Sequence, residues 1–186
     1  MPPLKASISK PLQGGPSFSF QNRVYRAVWN ISWWLLASWT PPPLHRWRCL
    51  LLNCFGARID YSSRIYGTAK IWYPPNLTMG RHAIVGPGAI IYCQDKINIC
   101  EGATISQGAH LCTGTHNISD IDFQLVTSPI FIGFRAWIAA EVFIGPGVVV
   151  GECAVIGART TLFRNADPYG VYIGNPAIKI KNRKFI

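Results

Sequence analysis

Acidic residues are scarce in this chain. Eight Asp and Glu stand against 18 Lys and Arg, a formal net charge of +10 at pH 7. A chain so basic cannot pair its own charges, so an anionic partner is expected: a membrane surface, a phosphate-bearing small molecule or nucleic acid. Nucleic acid is set aside, because no recognition motif and no dense Lys/Arg cluster interleaved with aromatics is present. Metal-ligand spacing is missing too. The six cysteines, Cys49, Cys54, Cys93, Cys100, Cys112 and Cys153, form no C-x-x-C pair. With no secretory leader ahead of them, they read as small buried thiols in a reducing compartment, hence a cytoplasmic protein. Nor is there an apolar run of the about 20 residues that crossing a bilayer requires. At 186 residues the chain is one domain by length and can bury its own core.

What is present divides into three stretches. Residues 1–18 are rich in Pro, Gly and Ser and are expected to be mobile. Residues 19–56 hold Trp29, Trp33, Trp34, Trp39 and Trp47, five of the seven tryptophans. They predict two helices split by Pro41, Pro42 and Pro43. The charge-free run from Ala27 to Trp39 is too short to span a membrane but suits a helix lying in the interface, with Arg23, Arg26, Arg46 and Arg48 meeting anionic lipid. Packing of these helices over one end of the following domain, or against a neighbouring subunit, is an equal expectation.

Residues 57–186 repeat. Aliphatic side chains recur in steps of six at Ile59, Ile65 and Ile71, at Met79, Val85 and Ile91, at Ile99, Ile105 and Leu111, and from Ile132 through Ile138, Ile144, Val150 and Ile156 to Leu162. A period of six fits neither a helix nor a hairpin strand, whose periods are about 3.6 and 2. It predicts stacked coils with the aliphatic residue inward. A glycine following the aliphatic residue, as at Gly80, Gly86 and Gly133, is expected to supply turn angles, and a small residue such as Ala83 or Ala103 to close the corner. The ladder breaks three times, with steps of eight, eight and 21, each after the third rung of a set. All three insertions should therefore leave one edge of a three-sided prism. They carry "WYPPN", "YCQDK" and the long loop opened by "CTGTH".

The ladder, the "ISQGAHLCTGTHN" segment, "AWIAAEVFIGPGVVVGECAVIGA" and "YIGNPAIKIK" together resemble the hexapeptide-repeat acyltransferases. The likeness is to sugar O-acetyltransferases of the maltose and galactoside type, and within them to the colanic-acid-biosynthesis acetyltransferases. It implies a mainly β fold, a left-handed parallel β-helix with N-terminal helices. It also implies a homotrimer with acetyl-CoA in a groove between neighbouring prisms, no metal requirement, and His116 as the base that deprotonates a saccharide hydroxyl. By the same resemblance the backbone near Ala139 and Ala140 faces the thioester, Trp137, Ala140 and Ala158 line the groove, and Arg164 and Lys181 meet nucleotide phosphates. Ile178 replaces a basic family position, for which Lys179, Lys181, Arg183 and Lys184 could compensate. Asn117 follows the histidine where relatives often have Asp, so the imidazole lacks an evident orienting partner. Asp95 either binds acceptor hydroxyls or forms a turn; His110 packs, and His82 is a solvated turn residue.

Acetyl transfer to a saccharide in exopolysaccharide or glycan synthesis is the expected activity, with a lipid-linked acceptor accounting for the Trp-rich helices. Two other functions are alternatives on the same scaffold. A zinc carbonic anhydrase of the same scaffold would use His82, His110 and His116, at intervals that do not match that motif. A catalytically silent membrane scaffold would have no need of His116.

Overall fold

The computed structural model describes residues 2–185; Met1 and Ile186, the outer ends of the predicted stretches, lie outside the described residues. Each rung of the six-residue ladder forms a short strand, and three strands make one coil. The first coil runs Arg58–Ile59, Arg64–Ile65 and Lys70–Ile71. Successive coils pair in parallel and in register, so the second face stacks Ile65 on Val85, Val85 on Ile105, Ile105 on Ile138 and Ile138 on Ile156. These five side chains have no exposed surface. Each buried aliphatic rung contributes roughly 1.5–3 kcal/mol from apolar area removed from water. The other two faces are five-stranded parallel sheets of the same construction. The architecture is the expected left-handed parallel β-helix with N-terminal helices. A terminal hairpin, Gly170–Ile173 with Ile178–Asn182, closes the far end.

The corners work differently from the expectation. Gly80, Gly86 and Gly133 do not lie in the left-handed region. They are glycine because the next coil passes close by: a Cβ at Gly80 would sit 2.7 Å from the Glu101 amide nitrogen, and one at Gly133 2.7 Å from that of Glu152. The left-handed residue comes two positions later. It is Gly88 or Gly108 in some corners but His82, Arg135, Glu141, Cys153 or Arg159 in others. The small residue that closes each corner is as expected, with Ala83, Ala89, Ala103, Ala109 and Ala154 fully buried.

Among the described residues three α-helices precede the prism: α1 (Ala6–Ser9), α2 (Phe20–Leu36) and α3 (His45–Cys54). The Ser19 hydroxyl caps α2 by accepting from the Asn22 amide. One face of α2 lies on the first coil. There the Trp29 indole N–H donates to the Ile71 carbonyl at 2.7 Å and that of Trp33 to the Gly67 carbonyl at 3.1 Å. Helix α3 plugs the open end. The Asn53 amide both accepts from the Ile59 N–H and donates to the Ile59 carbonyl, standing in for the missing earlier coil. Arg48, expected to meet lipid, is fully buried instead. Its guanidinium donates to the carbonyls of Ile65, Pro41 and Pro42 and to the Thr40 hydroxyl, so it holds the proline turn against the prism. The opposite face of α2, with Val24, Val28, Ile31 and Leu35, is exposed, as are Trp34 and Trp39. Among the described residues no helix is long and apolar enough to cross a membrane.

Candidate active site

All three insertions leave the edge between the third and first faces, as the gaps in the ladder imply. They are tied to one another. The Asn76 side-chain amide donates to the carbonyls of Cys93 and Gln94, and the buried Thr113 hydroxyl accepts from the Asp95 amide and donates to the Tyr92 carbonyl. The longest insertion is an antiparallel hairpin, Gly114–His116 against Leu125–Thr127.

His116 sits at the end of its strand, half-buried. Its Nδ1 lies 2.9 Å from the Phe123 carbonyl oxygen, and its ring stacks on that of Phe123 at 4.3 Å between centroids. A carbonyl can only accept, so Nδ1 carries the proton and the neutral ring keeps its lone pair on Nε2. The orienting group that Asn117 does not supply is thus a main-chain carbonyl across the loop. Asn117 itself shapes the tip, accepting from the Ser119 amide.

The N-terminal segment, read from composition as mobile, contacts this loop. Gln124 accepts from the Ala6 amide at 2.6 Å and donates to the Leu4 carbonyl, and the buried Phe18 ring packs on Trp72. Segment, helix α2 and loops together enclose a cleft of about 470 Å³. His116, Gln94, Trp72, Tyr92, Arg23 and Arg26 are on its walls. Arg26, also expected to face lipid, lies with its guanidinium 4.4 Å from the centre of the Trp72 ring.

Sequence reasoning missed Gln94, although "YCQDK" was recognised as part of the functional edge. Gln94 is 6% exposed and its Nε2 donates to the Tyr92 hydroxyl, while its Oε1 is buried without a partner. That oxygen occupies the space where Gly114 has no side chain; a Cβ there would fall 1.8 Å from it. The oxygen therefore faces the Gly114 main chain, and it is the rest of the Gln94 side chain that lines the cleft. Asp95 is engaged otherwise. Its carboxylate accepts from the Thr127 hydroxyl and the Lys96 amide, bracing the root of the loop, and it is absent from the cleft wall.

The residues assigned to acetyl-CoA lie elsewhere. Trp137 is half exposed on the second face, its indole N–H donating to the Ser106 hydroxyl. Ala139 and Ala140 form the next corner, and the exposed Ala158 lies in the same corner one coil on, where the Arg159 amide donates to the Ala140 carbonyl. The Ala139 N–H does not point at a ligand: it donates to the Ile156 carbonyl within the ladder. Among the described residues, no such bond engages the Ala140 N–H. Lys181 is exposed on the terminal hairpin, opposite Val171. Arg164 is exposed beyond the last strand of the third face. Of the compensating cluster, Lys179 is paired with Asp167 at 2.9 Å. One chain therefore brings His116 and Gln94 together on one edge, and Trp137, Ala140 and Ala158 together along another.

The remaining histidines serve the fold. His82 occupies a left-handed corner and is exposed. The His110 ring packs edge-on between Tyr92 and Phe143, and burial pushes its pKa down. No group of three or more His, Cys, Asp or Glu among the described residues is arranged to hold a metal ion. All six cysteines are free, with Cys54 exposed; burial pushes the Cys93 thiol up to about 12.

No family model matches the chain. Solved structures share its fold. The galactoside acetyltransferase in complex with coenzyme A superposes with a TM-score of 0.81 at 20% identity, covering 90% of this chain and 85% of that one. The maltose O-acetyltransferase from Clostridium difficile 630 does so at 0.79 and 23% identity, covering 90% of each. The fold is thus that of the hexapeptide-repeat acetyltransferases. Among curated sequences, the protein provisionally named colanic acid biosynthesis acetyltransferase WcaF, from Escherichia coli K12, is 36% identical over 181 residues, 95% of this chain and 94% of that protein. The chain belongs to this family and is an acyltransferase.

Substituting Gly114→Ala is expected to collide with Gln94 and cost roughly 1–3 kcal/mol of stability by overpacking. Shortening the partner as well, in Gly114→Ala/Gln94→Ala, should recover most of that loss in a denaturant-unfolding double-mutant cycle. Additive losses would show that the two side chains do not compete for the same space.

Proposed function

We propose that this chain transfers the acetyl group of acetyl-CoA to a saccharide hydroxyl, in the assembly of an exopolysaccharide or related glycan. The observation that carries the reading is His116. A single ring nitrogen with a free lone pair is held at a polar cleft by a main-chain carbonyl and a stacked ring. The likeness to WcaF over nearly the whole of both chains supports the glycan, and the coenzyme A bound to the galactoside acetyltransferase supports the donor.

A sugar hydroxyl is a weak nucleophile at neutral pH. His116 Nε2 takes its proton as the oxygen attacks the thioester carbonyl, and the Phe123 carbonyl stabilises the imidazolium through Nδ1–H. The Ala140 N–H is the donor available to the developing oxyanion. Collapse expels the CoA thiolate, to which the imidazolium returns the proton. None of these steps calls on a metal.

The base and the groove residues occupy different edges of one prism, so a second copy must supply one half of each site. A closed homotrimer satisfies this for every subunit. Trp137 and Ala158 then flank the donor, with Arg164 and Lys181 near its phosphates. Trp34 and Trp39, with the exposed face of α2, suit the anionic inner surface of a membrane, where a lipid-linked acceptor would reside.

CoA release from acetyl-CoA with a panel of free and lipid-linked saccharides tests the reaction. Acceptor-dependent release should fall by about 10²–10⁴-fold in His116→Ala, the usual contribution of a general base, with acetyl-CoA binding retained. Release that persists in the variant would remove His116 from the chemistry. For the membrane, Trp34→Ser/Trp39→Ser should weaken co-sedimentation with vesicles containing phosphatidylglycerol; equal sedimentation of wild type and variant would count against an interfacial role.

A further inference from the structure

The cleft that holds His116 is positively charged and has no carboxylate on its walls. Arg23 and Arg26 reach it from the first turns of α2, and neither Asp nor Glu is among the residues that line it. The ion pairs of the described residues join Arg81 to Asp60, Arg159 to Glu141 and Lys179 to Asp167, and leave both of these arginines out. Arg26 is fixed in place. Its Nε donates to the Asn22 side-chain oxygen at 2.9 Å and its guanidinium carbon lies 4.4 Å from the centre of the Trp72 ring, so among the described residues its two terminal nitrogens have no acceptor. Burial is the main reason its pKa is lowered, with Tyr92 opposing the shift and the like charge of Arg23 adding to it. Two guanidinium groups in one cleft repel each other unless an anion lies between them.

A neutral sugar does not supply that anion. Its hydroxyls call for acceptors as well as donors, and no Asp or Glu lines these walls to supply them. Trp72 and Tyr92 offer ring faces for a sugar; the arginine forks offer a bidentate match to an oxyanion. We infer that the acceptor is an anionic saccharide, with a phosphate, diphosphate or carboxylate beside the ring to be acetylated, and that Arg26 together with Arg23 binds that group. This rests on the acetyl-transfer reading for the role of the cleft, but the anion site itself can be measured without turnover.

The experiment has a binding arm and a kinetic arm. Calorimetry is run on the full chain saturated with CoA, so that the donor's phosphate contacts are already filled. The probes are inorganic diphosphate, glucose 1-phosphate, glucuronic acid and methyl glucoside. Diphosphate and at least one anionic sugar should bind at least about tenfold more tightly than the neutral glucoside, with an affinity that falls as salt rises. That preference should disappear in Arg26→Gln and weaken in Arg23→Gln. Arg23 is exposed and packs on no ring, so its variant separates loss of the site from loss of the fold. The anionic sugar that binds best identifies the source of the charge, phosphate or carboxylate. Equal binding of charged and neutral probes, or a preference unchanged in both variants, would overturn the inference.

In the kinetic arm the same sugars, with a short prenyl-diphosphate-linked saccharide added, serve as acceptors. Arg26→Gln should raise KM for the anionic acceptor about tenfold or more, whereas His116→Ala acts on kcat. An anion preference in binding with no His116-dependent transfer to any acceptor would leave the anion site standing and sink the acetyl-transfer reading instead.

Discussion

Main-chain pairing between successive coils is the constraint on which the rest of this molecule depends. Each interior strand is hydrogen-bonded to the equivalent strand one coil earlier and one coil later, as Ile138 lies between Ile105 and Ile156. A residue added inside a strand would turn every later side chain to the wrong face, so extra residues can only be extruded at a corner. Here they all leave the same corner. That is why Thr113 can bond to Tyr92 and Asp95, and why His116 and Gln94, 22 positions apart, line one cleft.

The same constraint creates a problem at the first coil, where one side of the ladder has no neighbour. Asn53 and Arg48 solve it with side chains, the former completing the strand pairing of Ile59 and the latter binding carbonyls of the proline turn. With that end closed, α2 is free to serve two surfaces. Its inner face anchors through Trp29 and Trp33 to the prism, and its first turns send Arg23 and Arg26 to the cleft. The helix therefore contributes to the walls of the cleft.

Much of this was legible in the sequence because periodicity maps directly onto coil geometry: the ladder, the inward aliphatics and the shared edge of the insertions follow from counting. His116 was legible as the histidine at the root of the longest insertion. What escaped depends on contacts between distant residues. The partner of His116 is a main-chain carbonyl seven residues on, reached only because the loop turns through a left-handed Phe123. The tie between Ala6 and Gln124 spans 118 positions, so composition alone suggested a free segment. The glycine that often follows the aliphatic residue is expected from sequence to supply turn angles, whereas at Gly80, Gly86 and Gly133 its reason is the main chain of the next coil passing close by. Arg48 and Arg26 looked like surface charges because a list of basic residues does not reveal which helix face meets the prism.

The central proposal is that each active site takes its base from one subunit and its donor groove from another. Co-expressing two inactive variants tests it: His116→Ala, which keeps the groove, and Ala158→Trp, which fills the groove and keeps the base. Mixed trimers should regain acetyl transfer, because some interfaces join an intact His116 to an intact groove. Mixed trimers that form, as judged by two affinity tags, yet stay inactive would contradict the account.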